Sequence, residues 1–250
     1  MPITRIEPQR LYRQIADQIS DLIASGEFPQ GSRLPSERRL AVQLGVSRPS
    51  LREAMIALEI AGAVTVQTGS GIYVRAVAPL AADPGPGPLE VFAARRLIEA
   101  EVAALAAKTA LPADLDQLDR GIAQMRSESS HTLTHEDGDR VFHLALAEAT
   151  HNSALVLVVQ TLWDLVSSPM WIKLRERMRN AALRPRLIDD HVAIRDAVAA
   201  GDAPAARRAM IYHLRESEQA LTDVWRAGQS TPGTLVSGVI TTSKRQRGGR

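Results

Sequence analysis

The sequence predicts a mainly α-helical protein in two parts: a small N-terminal unit of short helices closed by a β-hairpin, and a larger all-α bundle. Three observations predict it. Apolar residues recur at helical spacing through most of residues 8–227. The clear exception is AVTVQTGSGIYV (63–74), where alternating Val64, Val66 and Ile72, Val74 flank a glycine turn. Between the hairpin and the later helices, four prolines and two glycines fall between Pro79 and Leu89, a linker by composition.

The bulk composition agrees. Among 250 residues, 45% are hydrophobic and 23% charged, an ordinary balance for a globular chain of one or two domains. Aromatics are only 4% against abundant Ala and Leu, which favours helix over sheet. With no cysteine, disulfides, thiolate metal sites and cysteine nucleophiles are excluded together. The start, MPITRIEPQRLYRQ, has no apolar stretch of a secretory signal, and no apolar run reaches spanning length. A cytoplasmic protein without a membrane partner is expected.

In chain order, Leu11, Ile15, Ile19, Leu22 and Ile23 define a first helix over 8–25, stopped by Gly26. EFPQGSRLP (27–35) reads as a turn-rich connection. Ser36 caps a second helix with Leu40, Ala41 and Leu44 on its apolar face, and Gly45 supplies a left-handed terminus. Ser47 caps a third helix, with Pro49 in its first turn and Leu51, Ala54, Met55 and Leu58 facing inward. Beyond the linker, helices are predicted over 89–110, 112–127, 137–149, 152–180 with a break at Pro169, 185–200 and 202–227. Successive helices with short connections imply a bundle. The boundaries are therefore 1–78, a linker at 79–88, the bundle at 89–228, and a disordered basic tail at 229–250. Net charge follows this division: +2 over 1–78, −4 in the middle and +4 in the tail.

Short helix, tight turn and second helix over Leu34–Gly62 form a helix-turn-helix signature. Arg48, Ser50 and Arg52 sit at the start of the second of these helices, the end that enters a DNA major groove. The hairpin that follows is the wing of a winged helix, with Gly69 at its tip, where the backbone can approach phosphates. In the bundle, Asp139 and His143 stand four apart on one helix face, a spacing that alone suits a surface ion pair. His191, in the first turn of the 185–200 helix, and His213, on a face with Ala209, Met210 and Ser217, extend the set. Three imidazoles and one carboxylate suit a divalent metal such as Zn²⁺, Ni²⁺ or Mn²⁺. His131, His135 and His151 fall in or beside loops and read as solvated.

LPSERRLA (34–41), GVSRPSLREAMIALE (45–59) and GAVTVQTGSGIYV (62–74) resemble the winged-helix domain of the GntR transcription-factor family. RRLIE (95–99), DRVFH (139–143), NSAL (152–155), DHVAI (190–194), AGDAPAA (200–206) and His213 resemble the helical FCD effector domain of its FadR-like branch. FHLALAEATHNSALV (142–156) and LWDLVSSPMWIKL (162–174) are similar to the hexuronate-operon repressors of that branch. The resemblance implies that Asp139, His143, His191 and His213 are the metal ligands of an effector pocket. Arg96 would meet the effector's carboxylate; otherwise it forms an ion pair with Glu99 or Glu101. Trp171, like Trp163, would wall the pocket and stack on a sugar face, or else belong to the core.

On the DNA side the resemblance makes Arg38 a third DNA arginine beside Arg48 and Arg52, which would reach guanine edges. Ser47 and Ser50 would bind phosphates or bases. Pro49 replaces a hydroxyl residue of many relatives and cannot donate a hydrogen bond. The expected function is a homodimeric repressor on a palindromic operator in double-stranded DNA, controlled by a small carboxylate such as a hexuronate. The rivals are a metal-dependent hydrolase or isomerase, against which no HExxH, GxSxG, Walker A or dinucleotide motif occurs, and an architectural DNA-binding protein. No enzyme is expected.

Overall fold

The computed structural model describes residues 10–67, 70–76, 85–129, 137–168, 171–172 and 183–227. Helix α1 (Leu11–Ala24) buries Tyr12, Ile15, Ala16, Ile19 and Ile23 as one stripe. That stripe lies against α3 (Arg48–Ile60). Between them, α2 (Glu37–Leu44) starts at Ser36, whose hydroxyl accepts from Arg39 N at 3.4 Å, and ends at Gly45 with φ 65°. A left-handed residue there turns the chain straight into Ser47, whose hydroxyl accepts from Ser50 N at 3.2 Å and opens α3. Every residue from Leu51 to Leu58 is buried, so α3 is the centre of this unit and its first turn is left to face outward.

Strands β1 (Val64–Gln67) and β2 (Gly71–Val74) pair antiparallel with Val64 opposite Val74 and Gln67 opposite Gly71. The connection before α2 does more than turn. Leu34 N donates to Ile72 O at 2.8 Å, Val74 N to Ser32 O at 3.0 Å, and Arg33 bridges Tyr73. The outer edge of β2 needs partners, and this register also puts the Leu34 side chain inside at 3% exposure.

Helices α4 (Pro88–Thr109), α5 (Pro112–Ser129), α6 (Asp137–Glu148), α7 (Ser153–Val166), α8 (Leu183–Ala199) and α9 (Ala203–Ala227) make the bundle. Helix α4 packs along α9 and touches α6, α7 and α8, while α5 lies along α6 and α8. Asn152 caps α7 by accepting from Ala154 N and Leu155 N. The expected break at Pro169 lies outside the described residues, as do His131, His135, Gly69 and the basic tail. Among the described residues no helix is long and apolar enough to cross a membrane.

Among the described residues, hydrogen bonds join the halves at two places. Tyr12 Oη donates to Gly85 O at 2.9 Å, and Leu89 N, in the first turn of α4, donates to Glu53 Oε1 on α3 at 2.7 Å. A Cβ at residue 87 would sit 2.7 Å from that same oxygen, so glycine is needed for the approach. Helix α3 is thereby tied directly to the first helix of the bundle, and α1 to the connection just before it.

Candidate functional site

Helix α6 carries Asp139 in its first turn and His143 one turn on; α8 supplies His191 and α9 His213. One donor atom from each lies within 4.8 Å of the others. The sequence placed His191 in a first turn, but α8 begins at Leu183, about two turns earlier. That position matters, because the carbonyl one turn back is then available: His191 Nδ1 donates to Leu187 O at 2.6 Å. Its Nε2 then faces Asp139 Oδ1, 3.0 Å away.

His143 repeats the arrangement. Its Nδ1 is hydrogen-bonded to the Glu99 carboxylate, and its Nε2 faces Asp139 Oδ1 at 3.4 Å without a hydrogen-bond partner. His213 Nδ1 is likewise buried without one, and its ring centroid is 4.2 Å from that of His191. Burial and the neighbouring His191 and His143 hold His213 well below the usual histidine range, so it is a neutral donor. Burial opposes ionisation of Asp139, but the neighbouring His143 and His191 outweigh it and keep the carboxyl well below its usual range. Three imidazoles and one carboxylate converge on a small buried volume, where a divalent cation would satisfy the two nitrogens left without a hydrogen-bond partner. The donor set fits a metal.

Behind the donors stands a layer that the sequence did not disclose. Burial works against charge on Glu99, yet Arg95 and His143 overcome it and lower its pKa. Arg95 Nε donates to Glu99 at 2.6 Å, and its guanidinium lies 4.3 Å from the centroid of the Trp163 ring, which in turn packs on His143. The signal available was the i, i+4 spacing of Arg95 and Glu99 on the face of α4 that also buries Val91, Val102 and Ala103. Arg96, one residue on, is rotated to another face. It pairs with Glu218 of α9 at 2.5 Å, not with Glu99 or Glu101; Glu101 is held by Arg207. Of these two adjacent arginines, Arg95 is the one whose charge reaches His143 and His213.

A cavity of about 420 Å³, mouth included, opens at the donors. Asp139, His191 and His213 form part of its wall with Glu128 and Ser217, and Met125, Leu187 and Ile188 complete it. Neither Arg96 nor Trp171 lines it. Trp171 is 3% exposed and packs on Phe92 of α4 at 5.1 Å, which makes it core.

At the other end, Arg38, Ser47 and Arg48 are exposed, and Ser50 is half-buried with its hydroxyl 2.8 Å from that of Ser47. Arg52 departs from expectation. It is 5% exposed, and its Nε and Nη2 donate to the buried Glu37 at 3.0 and 2.8 Å. Glu37 Oε1 also accepts from Arg48 Nε at 2.5 Å. One carboxylate thus fixes two of the expected DNA arginines, and only Arg48 presents much surface. Sequence spacing gave no hint that Glu37 points beneath them.

The family model described as "Bacterial regulatory proteins, gntR family" matches residues 11–74, and that of the FCD domain matches residues 90–216. The chain belongs to the GntR family and carries an FCD domain. It is 38% identical over 226 residues to the Uxu operon transcriptional regulator of Escherichia coli strain K12, covering 86% of this chain and 88% of that one. The Exu regulon transcriptional regulator of the same strain is 37% identical over 221 residues, covering 85% and 84%. The solved structure of E. coli McbR/YncC aligns with TM-score 0.50 at 22% identity, covering 87% of this chain and all of that one, a likeness of fold. This GntR protein is a DNA-binding transcriptional regulator, and the Uxu and Exu proteins it resembles are named as regulators and not as enzymes.

Proposed function

We propose that this regulator is a cytoplasmic homodimeric repressor whose grip on a palindromic operator is set by a sugar acid, of hexuronate type, bound in the bundle. The observation that carries the reading is the convergence of Asp139, His143, His191 and His213, three of them (Asp139, His191 and His213) on one cavity wall, with Glu99 and the Leu187 carbonyl holding the far nitrogens of two of the rings. These four residues would hold Zn²⁺, Ni²⁺ or Mn²⁺, which when bound offers open coordination positions to a carboxylate oxygen. The names of the Uxu and Exu relatives favour a uronate over other acids. Residues 1–78 read DNA, 89–228 sense the acid, and 79–88 connect them.

On DNA, Arg48 reaches a guanine edge, Arg38 adds a second cation, Ser47 and Ser50 meet phosphates or bases, and Gly69 lets the wing tip approach the backbone. Arg52 acts beside Arg48 through their shared Glu37. Two-fold symmetry of the dimer demands two-fold symmetry of the operator.

Communication runs along α4. Glu99 supports His143 from the middle of that helix, and Leu89, ten residues earlier and about 15 Å away along the axis, is bonded to Glu53 of α3. A shift of α4 when the acid binds repositions the recognition helix and, through the 79–88 connection, the spacing of the two winged helices in the dimer. Coupling of about 1–3 kcal/mol suffices for a tenfold-scale change in operator affinity.

The test is operator binding by fluorescence anisotropy with D-galacturonate or D-glucuronate, on metal-loaded and EDTA-treated protein and on His213→Ala. Effector response should require the metal and vanish in the variant. An undiminished response after chelation and in His213→Ala refutes the scheme.

A further inference from the structure

Glu128 lines the cavity although no part of the donor set requires it. Its residue is 7% exposed, and its carboxylate is fixed by one oxygen only: Oε1 accepts from Gly138 N at 3.0 Å and from Gln124 Nε2 at 2.9 Å. No described residue donates to Oε2. Helices α5 and α6 cross closely here, since a Cβ on Gly138 would stand 2.6 Å from Met125 N, so the carboxylate cannot drift from its place. The next residue along α6 is Asp139, the carboxylate of the donor cluster.

We propose that Glu128 Oε2 is the hydroxyl-reading atom of the cavity, accepting hydrogen bonds from a polyhydroxy acid whose carboxylate lies toward the histidines. This rests on the effector reading above and deepens it. This oxygen is open to the cavity; a ligand with O–H groups replaces the water it displaces there with hydrogen bonds, whereas an acid lacking hydroxyls leaves the carboxylate oxygen desolvated and unpaired. The side chains of Met125, Leu187 and Ile188 in the wall offer no competing hydrogen bond, and Ser217 supplies a hydroxyl that both donates and accepts. The cavity therefore discriminates by a carboxylate–hydroxyl contact and not by size alone.

Glu128→Gln separates this role from a merely structural one. The amide oxygen must remain on Gly138 N and Gln124 Nε2, because both are donors, which places the NH₂ where Oε2 was. The helix contact survives while the acceptor becomes a donor. Calorimetric titration of metal-loaded protein with D-galacturonate and with hexanoate, an acid of equal carbon number without hydroxyls, is the experiment. The parent should prefer galacturonate by at least about tenfold. Glu128→Gln should lose most of that preference, chiefly through weaker galacturonate binding, with an unchanged melting temperature. A retained preference overturns the proposal, as does an equal loss for both acids or a lowered melting temperature that accounts for the change. If the parent binds neither acid, the effector reading itself fails; if it binds both equally, only the role of Glu128 does.

Discussion

Glu99 and Glu53 are both buried and both touch α4, yet they sit in opposite electrostatic states. Glu99, in the middle of that helix, faces Arg95 and His143, and these carry its pKa down against the pull of burial. Glu53 reaches the start of the helix from α3, and burial pushes its pKa up to about 7, with the Leu89 N–H resisting and Glu90 adding to the rise. Depth is similar; the difference is the number of cations in reach. Glu99 is charged because a cation has been buried with it, whereas Glu53, met by a backbone amide, is only about half ionised near pH 7.

The contrast is broken most severely at Glu99. Glu99→Ala leaves Arg95 and His143 buried without their acceptor, and a loss of about 3–5 kcal/mol in denaturant unfolding is expected. The same variant should also bind Zn²⁺ or Mn²⁺ about 10–100-fold more weakly, because His143 loses the partner that orients its ring. Retention of full metal affinity would show that Glu99 serves only the fold.

Glu53 predicts a pH dependence of the opposite sign to a salt-bridged acid. The folded chain holds this proton more tightly than the unfolded one, whose value is near 4.5. The stabilisation is therefore complete below pH 4.5, declines as pH rises to about 7, and is absent above. The total swing is at most on the order of 3 kcal/mol. Glu53→Gln should flatten this limb of the stability–pH curve and be the more stable protein at pH 8. A curve of unchanged slope in the variant would assign the pH dependence elsewhere.

Metal addition probes the cationic side of the comparison. Zn²⁺, Ni²⁺ or Mn²⁺ at 100 times its dissociation constant should stabilise the fold by about 2.7 kcal/mol, read as a rise in melting temperature that His213→Ala abolishes. In the DNA-binding half, Arg48→Ala should cost about 1–3 kcal/mol of operator affinity and relax sequence preference. Equal losses on operator and scrambled duplex at fixed salt would mark Arg48 as a phosphate contact. Arg52→Ala should carry a larger folding penalty than Arg48→Ala, since it removes two donors from the buried Glu37 and Arg48→Ala removes one. The smallest effect is expected from Glu37→Gln, which keeps the shape but loosens both arginines: a change of less than about tenfold in the operator-to-scrambled ratio.

What the sequence disclosed is what periodicity and capping encode. Ser36, Gly45 and Ser47 place α2 and α3 to within a residue, and the Asp139/His143 spacing with the inward face of His213 identifies most of the donor set. Partnerships between helices left no such trace. Arg95 and Arg96 are indistinguishable as letters; only the packing of α4 decides that one turns to Glu99 and the other to Glu218. Trp171 in a pocket wall and Trp171 on Phe92 require the same residue at the same position, and three-dimensional proximity selects the second. Ser32–Leu34 escaped notice as sheet because Gly31 and Pro35 around it signal turns more strongly than three residues signal a strand.

That short edge beside β2 has a kinetic consequence. The amides of Gly31, Leu34 and Val74 are all engaged on carbonyls across it, so they should exchange with deuterated solvent at the pace at which the α1–α3 core opens, and not at the pace of a loop. The base of the wing has no separate hinge there. Whatever displaces α3 carries the hairpin's root with it as one rigid piece, and a control signal arriving through α4 moves the wing and the recognition helix together.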